Sequence, residues 1–487
     1  MGRVTEPNQV LPVPPADLPG TLGELRASGH RYRTVKQELR DNLLARMRSG
    51  EDRFPGIVGY DDTVLPEVER ALLAGHDMVL LGERGQGKTR LIRSLAALLD
   101  EWTPVIPGSA LNEHPLHPLT PASRALVAEA GDGLTISWLH RSMRYGEKLA
   151  TPDTSVGDLI GDVDPIRLAQ GRSLGDPETI HFGLVPRTNR GIFAVNELPD
   201  LAERIQVALL NVLEERDIQV RGYQLRLPLD LFLVASANPE DYTNRGRIIT
   251  PLKDRFGAEI RTHYPVDLDL ELALIRQEAD LVAEVPEHVL EVLARFARAV
   301  RESPSVDPRS GVSARFAIAA AETVAAAALR RAGLLAAGSA PDGVRPEAPV
   351  ARVGDAVSVT STLRGKVEFE SGEEGREIEI LAHLLRTATA ETFRARLAGL
   401  DLSGFTALVA EDAVIETGEL VSSIELLRQV GTVPGLAKAL DRLGLGDAPT
   451  PEQAAAGVEF VLEGLHLTRR LGKDVTESGR TVYGGRG

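Results

Sequence analysis

The sequence predicts an α/β fold, in which a parallel sheet covered by helices on both faces is followed by two α-helical regions. Between about residues 54 and 265, apolar runs of strand length alternate with helical stretches, which is typical of such a sheet. A glycine-rich loop stands between one of these runs and an amphipathic helix. From residue 267 onwards the chain is rich in alanine, leucine and arginine at helical spacing, which indicates a change to all-helical structure.

The domain organisation follows from these changes in composition. The 487 residues exceed one ordinary hydrophobic core and predict about three folded domains. We expect a disordered, proline-rich start with an N-terminal helix (1–50), an α/β nucleotide-binding domain (51–266), a helical lid with an Ala/Gly/Pro linker (267–370), a C-terminal helical region (371–471) and a flexible tail (472–487).

The individual elements are predicted from the spacing of apolar residues. The predicted strands cover residues 78–81, 134–138, 191–195, 231–235 and 258–262. The most clearly periodic helices are predicted at 32–47, 90–99, 288–302, 313–332 and 376–397.

Composition excludes several classes of protein. The chain has no cysteine, which excludes disulfides, thiolate metal sites and a cysteine nucleophile. A net charge of −15 argues against bulk, sequence-independent binding of nucleic acid. No run of 18 apolar residues is present, and prolines stand in residues 1–20 where a signal peptide would have its apolar stretch. We therefore expect a cytoplasmic protein without a membrane segment.

The glycine-rich loop, GERGQGKT at residues 82–89, matches the phosphate-binding pattern G-x-x-x-x-G-K-[ST]. Its glycines allow successive backbone N–H groups to point at phosphate oxygens. Lys88 is predicted to reach the β- and γ-phosphates, and the Thr89 hydroxyl to ligate Mg²⁺. The chain is thus predicted to bind a nucleoside triphosphate with Mg²⁺. The predicted binding residues of this segment are Gly82, Gly85, Gln86, Gly87, Lys88, Thr89 and Arg90.

A second candidate motif is the apolar strand at 191–195, which ends in Asn196 and Glu197. This is the outline of a Walker B motif, in which the carboxylate of Glu197 would polarise the attacking water. The preceding position usually carries an aspartate near Mg²⁺, whereas this chain has Asn196. An amide can hydrogen-bond a Mg²⁺-bound water but adds no negative charge, so we expect Asn196→Asp to tighten the dependence on Mg²⁺. The alternative is a buried strand with an ordinary polar cap.

Two further residues are candidates for phosphoryl-transfer chemistry. Asn238 follows the apolar strand at 231–235 and could hydrogen-bond the γ-phosphate or its water, although Asn-Pro is also a common turn. Arg255 could act as a finger on the nucleotide of a neighbouring subunit. From the residues alone, Asp254 and Arg255 equally fit a surface ion pair of little consequence.

Taken together, these residues resemble the AAA+ ATPases of the MoxR and magnesium-chelatase ATPase-subunit branch. The resemblance covers roughly residues 54–332. It is carried by the P-loop at 82–89, the approach to the Walker B strand at 182–191, the sensor-1 segment SANPE at 236–240 and the block LKDRF at 252–256.

The resemblance implies roles for further residues. Ile57 and Val58 lie in the segment FPGIVG, which in this branch packs around adenine. Arg255 corresponds to the arginine finger that acts in trans, and Arg315 to the sensor-2 arginine over the phosphates. Residues 215–228 resemble the β-hairpin that marks the branch, with Arg221 and Arg226 facing either a pore or solvent, and residues 151–179 occupy the place of its substrate-facing insert.

The function implied by the resemblance is an ATP-hydrolysing ring motor, as a hexamer, because a finger acting in trans requires a neighbour. It would remodel a client protein or assist metal insertion together with a von Willebrand factor A-domain partner. The first alternative is the ATPase subunit of a true magnesium chelatase, against which Asn196 and the extra helical region count. A nucleotide-dependent scaffold that hydrolyses ATP poorly is a further alternative. An enhancer-binding transcription activator is less favoured, because its Gly-Ala-Phe-Thr-Gly-Ala loop is absent from the sequence.

Overall fold

The structure is a computed structural model that describes residues 12–164, 179–214, 217–220, 223–239, 248–307, 311–338, 347–410, 414–476 and 480–484. The chain divides into two compact units, Met1–His263 and Tyr264–Gly487. Within the described part of the chain, every helix is too short or too polar to cross a bilayer.

The strands of the first unit are β1 (Met78–Leu81), β2 (Trp102–Val105), β3 (Ser137–His140), β4 (Tyr145–Leu149), β5 (Gly161–Val163), β6 (Ile180–Phe182), β7 (Gly191–Asn196), β8 (Asp217–Val220), β9 (Tyr223–Arg226), β10 (Leu231–Ala237) and β11 (Ala258–Arg261). Its described α-helices are α1 (Leu22–Ala27), α2 (Val35–Ser49), α3 (Val64–Ala74), α4 (Lys88–Ser94), α5 (Pro121–Ala130), α6 (Val156–Leu159), α7 (Leu184–Arg187), α8 (Glu203–Glu214) and α9 (Thr250–Arg255).

The central sheet has five strands in the order β11-β1-β10-β7-β4, and every pair in it is parallel. All five carboxyl ends therefore lie at one edge of the sheet, where ligands of open α/β sheets bind. Two hydrophobic clusters contain residues from alternate positions of the same strands, such as Val79 in one and Leu80 in the other. The sheet is thus covered on both faces, which confirms the predicted α/β fold.

One predicted strand of the sheet is wrong. Residues 134–138 were expected in the parallel sheet, but β3 begins at Ser137 and pairs antiparallel with β2 in a separate two-stranded sheet. Leu134 and Ile136 instead pack with Leu22 and Leu25 of α1 in a small cluster of their own. The edge position of the parallel sheet belongs to β4, which pairs with β7.

Helix α2 begins at Val35, three residues later than the start predicted at residue 32, because Thr34 forms a capping box. The Thr34 hydroxyl accepts from the Gln37 N–H at 3.3 Å, and the Gln37 side chain accepts from the Thr34 N–H at 3.0 Å. The helix ends before Gly50, whose φ of 75° lies in the left-handed region that favours glycine. Val35, Leu39 and Leu43 form its buried apolar stripe, and Leu44 beside them is half-buried.

A buried ion pair connects Glu38 of α2 with Arg144, which directly precedes β4. The guanidinium of Arg144 donates to both oxygens of Glu38, at 2.6 and 2.7 Å, and both side chains are almost fully buried. The Glu38 carboxylate also accepts from the Asp100 N–H at 2.7 Å. Removing one member of such a pair leaves the other charge buried without its partner, which is strongly destabilising.

We expect Arg144→Ala to lower the free energy of unfolding of the first unit by about 3–5 kcal/mol, because Glu38 loses its buried counter-charge. The measurement is chemical denaturation followed by far-ultraviolet circular dichroism. The control is Arg26→Ala, which removes an ion pair with Asp132 whose side chains are 53% and 69% exposed, and which should change stability by less than about 1 kcal/mol. Equal stability of the two variants would contradict the expectation.

The second unit contains the helices α10 (Leu268–Glu278), α11 (Glu287–Glu302), α12 (Ala314–Gly338), α13 (Ser358–Thr362), α14 (Glu377–Leu397), α15 (Ser403–Ala410), α16 (Ser423–Val430), α17 (Leu436–Arg442) and α18 (Pro451–Leu467). A three-stranded antiparallel sheet joins them, made of β12 (Ile415–Thr417), β13 (Gly472–Val475) and β14 (Thr481–Gly484) in the order β12-β14-β13. One hydrophobic cluster runs from Leu272 to Tyr483, so residues of the predicted lid and of the predicted C-terminal region share a core.

The predicted flexible tail is wrong for the residues that the structure describes there. β13 and β14 form a hairpin that pairs with β12, and the side chain of Tyr483 is only 2% exposed. The Tyr483 hydroxyl donates to the carboxylate of Glu463 on α18. A buried aromatic residue with a satisfied hydroxyl anchors a segment whose composition alone is polar.

Candidate functional site

The loop at 82–89 leaves the carboxyl end of β1, whose four residues are all buried, and enters α4 at Lys88. Gly85 and Gly87 have φ values of 74° and 76°, a region that side-chain-bearing residues rarely adopt. A Cβ added to Gly82 would overlap the Thr262 hydroxyl and the Gln86 side chain. The glycines are therefore required by the backbone path and by a close approach.

The side chain of Lys88 is buried and donates to three oxygens. Its Nζ contacts the carbonyl oxygen of Gly82, that of Glu83 at 2.7 Å, and Oδ1 of Asn238 at 2.9 Å. Asn238 follows β10, the strand next to β1 in the sheet. The structure thus brings together two predicted site residues that lie 150 positions apart.

The shape of the loop is held by Gln86, whose side chain is buried. Its Oε1 accepts from the Glu83 N–H at 3.0 Å and from the Thr262 hydroxyl at 2.8 Å. Thr262 directly follows β11. The hydroxyl of Tyr60 lies within hydrogen-bond distance of the carbonyl oxygens of Gln86 and, at 3.0 Å, of His263. Burial raises the pKa of Tyr60 to about 12, so it stays a neutral donor at physiological pH. No motif in the sequence pointed to these supporting contacts.

Arg90 places the segment at residues 54–59 beside the first turn of α4. Its Nε donates to the carbonyl oxygen of Gly56 at 2.9 Å. Ile57 and Val58 follow directly and are half-buried, and Ile57 packs against the core beneath. The adenine-binding role of these two residues stays a prediction.

At the end of β7, Asn196 is buried and Glu197 has a φ of 57° and a ψ of 47°. That left-handed backbone is uncommon for a glutamate and turns the chain sharply at the strand end. The Glu197 N–H donates to the Ser236 hydroxyl at 3.2 Å, and the Ser236 hydroxyl donates to Oδ1 of Asn196 at 3.2 Å. Neighbouring strands β7 and β10 therefore fix both polar residues.

A carboxylate that the sequence did not reveal lies against Asn196. Glu147 on β4 accepts from Nδ2 of Asn196 at 2.7 Å. Arg93 of α4 donates to both Glu147 oxygens at 2.8 Å, and the Tyr145 hydroxyl donates at 3.0 Å. Burial acts to raise the pKa of the Glu147 carboxyl, but Arg93 and these hydrogen bonds outweigh it and hold the pKa below its ordinary value. Glu147 is therefore an anion at neutral pH.

The oxygen donors at this edge of the sheet fit a magnesium ion. Among the described residues there is no group of three or more His, Asp or Glu side chains that could cage a metal. Mg²⁺ at phosphate sites keeps several waters and takes few protein ligands. The Thr89 hydroxyl and Oδ1 of Asn196 are hard oxygen donors of the required kind, and they would hold the ion only together with phosphate and water.

Comparison with known proteins finds relatives over slightly less than half of the chain. The magnesium-chelatase subunit ChlI of Pyropia yezoensis is 29% identical over 235 residues, which are 47% of this chain and 61% of that protein. The magnesium-chelatase 38 kDa subunit of Cereibacter sphaeroides is 30% identical over 232 residues, 46% of this chain and 62% of that protein. The chain thus spans about three fifths of the length of these relatives. No family model matches it.

Over this part, the chain is distantly homologous to magnesium-chelatase subunits of the ChlI kind. Among solved structures, a complex between the subunits BchI and BchD of magnesium chelatase contains a chain that is 23% identical. The match covers 67% of this chain and 98% of that chain with a TM-score of 0.35, a likeness too low to carry an argument.

Two of the predicted site arginines are exposed. Arg255 is the last residue of α9 and is exposed. Arg315 is exposed at the start of α12, in the second unit, where its N–H donates to the Ser313 hydroxyl at 3.1 Å. Their roles as arginine finger and sensor 2 stay predictions.

The β-hairpin expected of an AAA+ protein in this branch is confirmed. β8 and β9 pair antiparallel, with Asp217 opposite Arg226 and Val220 opposite Tyr223. Arg221 lies outside the described residues, as does the side chain of Arg226, so their predicted place in a pore is not tested. The predicted insert at 151–179 begins with α6 and β5, and its residues 165–178 are likewise outside the described part of the chain.

Proposed function

We propose that this protein is an ATP-hydrolysing AAA+ motor that works as a ring. The observation that carries the proposal is the contact between Lys88 of the P-loop and Asn238 at the end of β10, with Glu197 at the end of β7 beside it in the sheet. A phosphate-binding cation, a polar sensor and a carboxylate are the groups that phosphoryl transfer to water requires. The homology to magnesium-chelatase subunits supports the same conclusion.

Each residue has a distinct task in this proposal. Lys88, with the backbone N–H groups of the loop, binds the β- and γ-phosphates, and Arg90 keeps the adenine segment in place. The Thr89 hydroxyl and the Asn196 amide oxygen would hold a magnesium ion, which would supply charge neutralisation. Glu197 orients the attacking water and accepts its proton, while Asn238 hydrogen-bonds the γ-phosphate or that water.

Assembly into a ring, as a hexamer, follows from the proposed role of Arg255. An exposed arginine at the end of α9 can complete the nucleotide site of a neighbouring copy, and such an arrangement requires a heterologous interface. As the sequence resemblance implies, we propose that the motor acts with a von Willebrand factor A-domain partner. The proposed output is remodelling of a client protein or assistance in metal insertion.

A second candidate, the ATPase subunit of a true magnesium chelatase, is favoured by the ChlI homology itself. Asn196, in place of the usual aspartate, and the extra helical region after the predicted lid favour the more general motor. Reconstitution with chelatase partner subunits and protoporphyrin distinguishes the two. Magnesium insertion would establish the second candidate, and ATP turnover without insertion would retain the first.

The test of the proposed motor is steady-state ATP hydrolysis per subunit, measured against protein concentration. We expect turnover to rise with concentration as rings assemble. Glu197→Gln should lower turnover by about 10²- to 10⁴-fold while keeping ATP binding, because the water loses its proton acceptor. The control is Glu101→Gln, at an exposed site of the same unit, which should hydrolyse like the wild type.

Two outcomes would contradict the motor. Equal turnover of the wild type and Glu197→Gln would remove the assigned base. ATP binding without turnover at any concentration, with or without a von Willebrand factor A-domain protein, would establish a nucleotide-dependent scaffold instead.

A further inference from the structure

Asn196 occupies the position where the Walker B strand ordinarily carries an aspartate, and a carboxylate faces it from the next strand. In the parallel register of β4 and β7, Leu149 lies opposite Asn196 and Glu147 lies opposite Ala194. Side chains two residues apart on a strand share a face, so Glu147 is the diagonal neighbour of Asn196 on one face of the sheet. The sheet therefore brings together an amide and a carboxylate that are 49 positions apart in the chain.

The contact with Glu147 decides which way the Asn196 amide points. An ionised carboxylate only accepts hydrogen bonds, so the amide must present its NH₂ group to Glu147, at 2.7 Å. The amide oxygen then faces Ser236, from whose hydroxyl it accepts at 3.2 Å. The opposite orientation would place two acceptors against each other. Glu147 thus selects the orientation in which an oxygen, and not an NH₂ group, is presented at this edge of the sheet.

The same chain of hydrogen bonds reaches the proposed base. The Ser236 hydroxyl uses its single proton on Asn196 and accepts from the Glu197 N–H at 3.2 Å. Reversing the Asn196 amide would require the Ser236 hydroxyl to accept from it instead. Glu147 therefore influences the backbone at Glu197 through two intermediate side chains.

Glu147 itself is held in place on its other side. Arg93 donates a hydrogen bond to each of its oxygens, and the Tyr145 hydroxyl donates a third. Arg93 follows Thr89 by four residues, one turn further along the helical segment and on the same face. With its charge paired to Arg93, the Glu147 carboxylate acts through Asn196 and is not itself presented as a metal ligand.

We propose that Glu147 is a positioning residue that orients the Asn196 amide, so that Glu147 and Asn196 together take the place of the single Walker B aspartate. This inference rests on the proposed nucleotide-binding function. It changes the expectation for Asn196→Asp, because that substitution alone sets a second carboxylate at hydrogen-bond distance from Glu147. The single substitution should therefore harm the site, and only a coupled exchange should restore it.

The experiment compares Glu147→Gln, Asn196→Asp and the double variant Glu147→Gln/Asn196→Asp with the wild type. In the double variant the glutamine NH₂ donates to the new aspartate, so the hydrogen bond is kept with the polarity reversed. The glutamine NH₂ would then face one N–H group of the Arg93 guanidinium, so that two donors meet. The Arg93 side chain is 60% exposed, so it can rotate that N–H group towards solvent. Glu101→Gln is the matched control at an exposed site.

Two readouts other than hydrolysis are measured for each protein. The first is the melting midpoint without nucleotide and in the presence of a chelator. The second is the affinity for ADP and for a non-hydrolysable ATP analogue, with and without Mg²⁺. For each nucleotide, the ratio of the affinity with Mg²⁺ to the affinity without Mg²⁺ gives the contribution of the metal, separately from the binding of phosphate by Lys88.

We expect Glu147→Gln to reduce the gain in nucleotide affinity that Mg²⁺ provides by about 10-fold, because substitution of residues that orient a metal ligand commonly has an effect of this size. Nucleotide binding without Mg²⁺ should be unchanged. Asn196→Asp should lower the melting midpoint by several degrees and should not increase the gain. The double variant should regain the wild-type midpoint and a gain at least equal to that of the wild type. The control should match the wild type in both readouts.

Additive effects of the two substitutions, or an unchanged metal-dependent gain in Glu147→Gln, would overturn the inference while leaving the nucleotide-binding proposal intact. If Asn196→Asp does not fold, the double variant and Glu147→Gln still decide the question. Wild-type protein that binds neither nucleotide would instead refute the proposed function, and this inference with it.

Discussion

Lys88→Ala is expected to remove nucleotide binding, and turnover with it. The lysine is 9% exposed, and its Nζ is held among the oxygens of Gly82, Glu83 and Asn238 at the centre of the loop. A buried, preorganised cation makes charge-assisted hydrogen bonds to phosphate that exposed lysines do not match. Losing such a partner corresponds to a decrease in affinity of about 10²- to 10³-fold.

The measurement is direct titration of ADP and of a non-hydrolysable ATP analogue, with the melting midpoint recorded beside it. The midpoint separates loss of the phosphate contact from loss of the fold. Lys366→Ala, at an exposed position in the second unit, should bind like the wild type. Unchanged affinity of Lys88→Ala, in a protein that melts normally, would contradict the assignment of the loop.

Three of the four strands that were predicted correctly share a property that is visible in the chain. β1, β7 and β10 are buried along their whole length, so their residues are almost uniformly apolar and stand out from the sequence around them. β11 differs, because it carries Glu259 and Arg261 and only its Ile260 is buried. A buried parallel strand is thus a local signal, which a single sequence can reveal.

The strand β4 was not predicted, because an exposed edge strand lacks the apolar signal of a buried one. Its sequence, YGEKL, is partly exposed and carries a glutamate and a lysine, because it lies at the edge of the sheet. Residues 134–138 have the clearer apolar alternation, but they satisfy it against α1 in a small separate cluster. An edge strand is specified by its pairing partner, and that partner is distant in sequence.

The candidate site divides in the same way. The P-loop was predictable because its residues are contiguous and their conformations follow from glycine and lysine chemistry. Contacts such as Asn238 with Lys88 and Glu147 with Asn196 depend on the strand order, which the sequence alone does not reveal. Tyr60 and Thr262 support the loop from outside the motif and carry no pattern of their own.

The proposed ring gives the strongest prediction about Arg255. Arg255→Ala should keep nucleotide binding, since Lys88 and its neighbours are untouched, and should lower turnover by about 10³- to 10⁵-fold, which is the effect of losing an arginine finger. The exposed position of Arg255 at the end of α9 means that its loss should leave stability nearly unchanged. Arg261→Ala is a matched control, because the Arg261 side chain is 83% exposed in the same unit.

Mixing subunits tests whether Arg255 acts on a neighbouring copy. Glu197→Gln and Arg255→Ala subunits are each inactive when alone, because every interface in either ring lacks one of the two groups. In an equal mixture, roughly one heterologous interface in four would pair an intact Glu197 with an intact Arg255, by random assortment. We expect turnover to reappear on mixing, to a level set by these interfaces. It should disappear again when Lys88→Ala replaces the Arg255→Ala partner, because no subunit with an intact Glu197 then binds nucleotide.

The same experiment separates action in trans from action within one subunit. If Arg255 contacted the nucleotide of its own chain, a mixed ring would contain no complete site, and activity would stay at the level of the separate variants. A stable ring that shows no recovery on mixing would therefore contradict the trans role and, with it, the reason for expecting a hexamer. Recovery would locate the active site at the interface between two copies, where hydrolysis in one subunit is coupled to the position of the next.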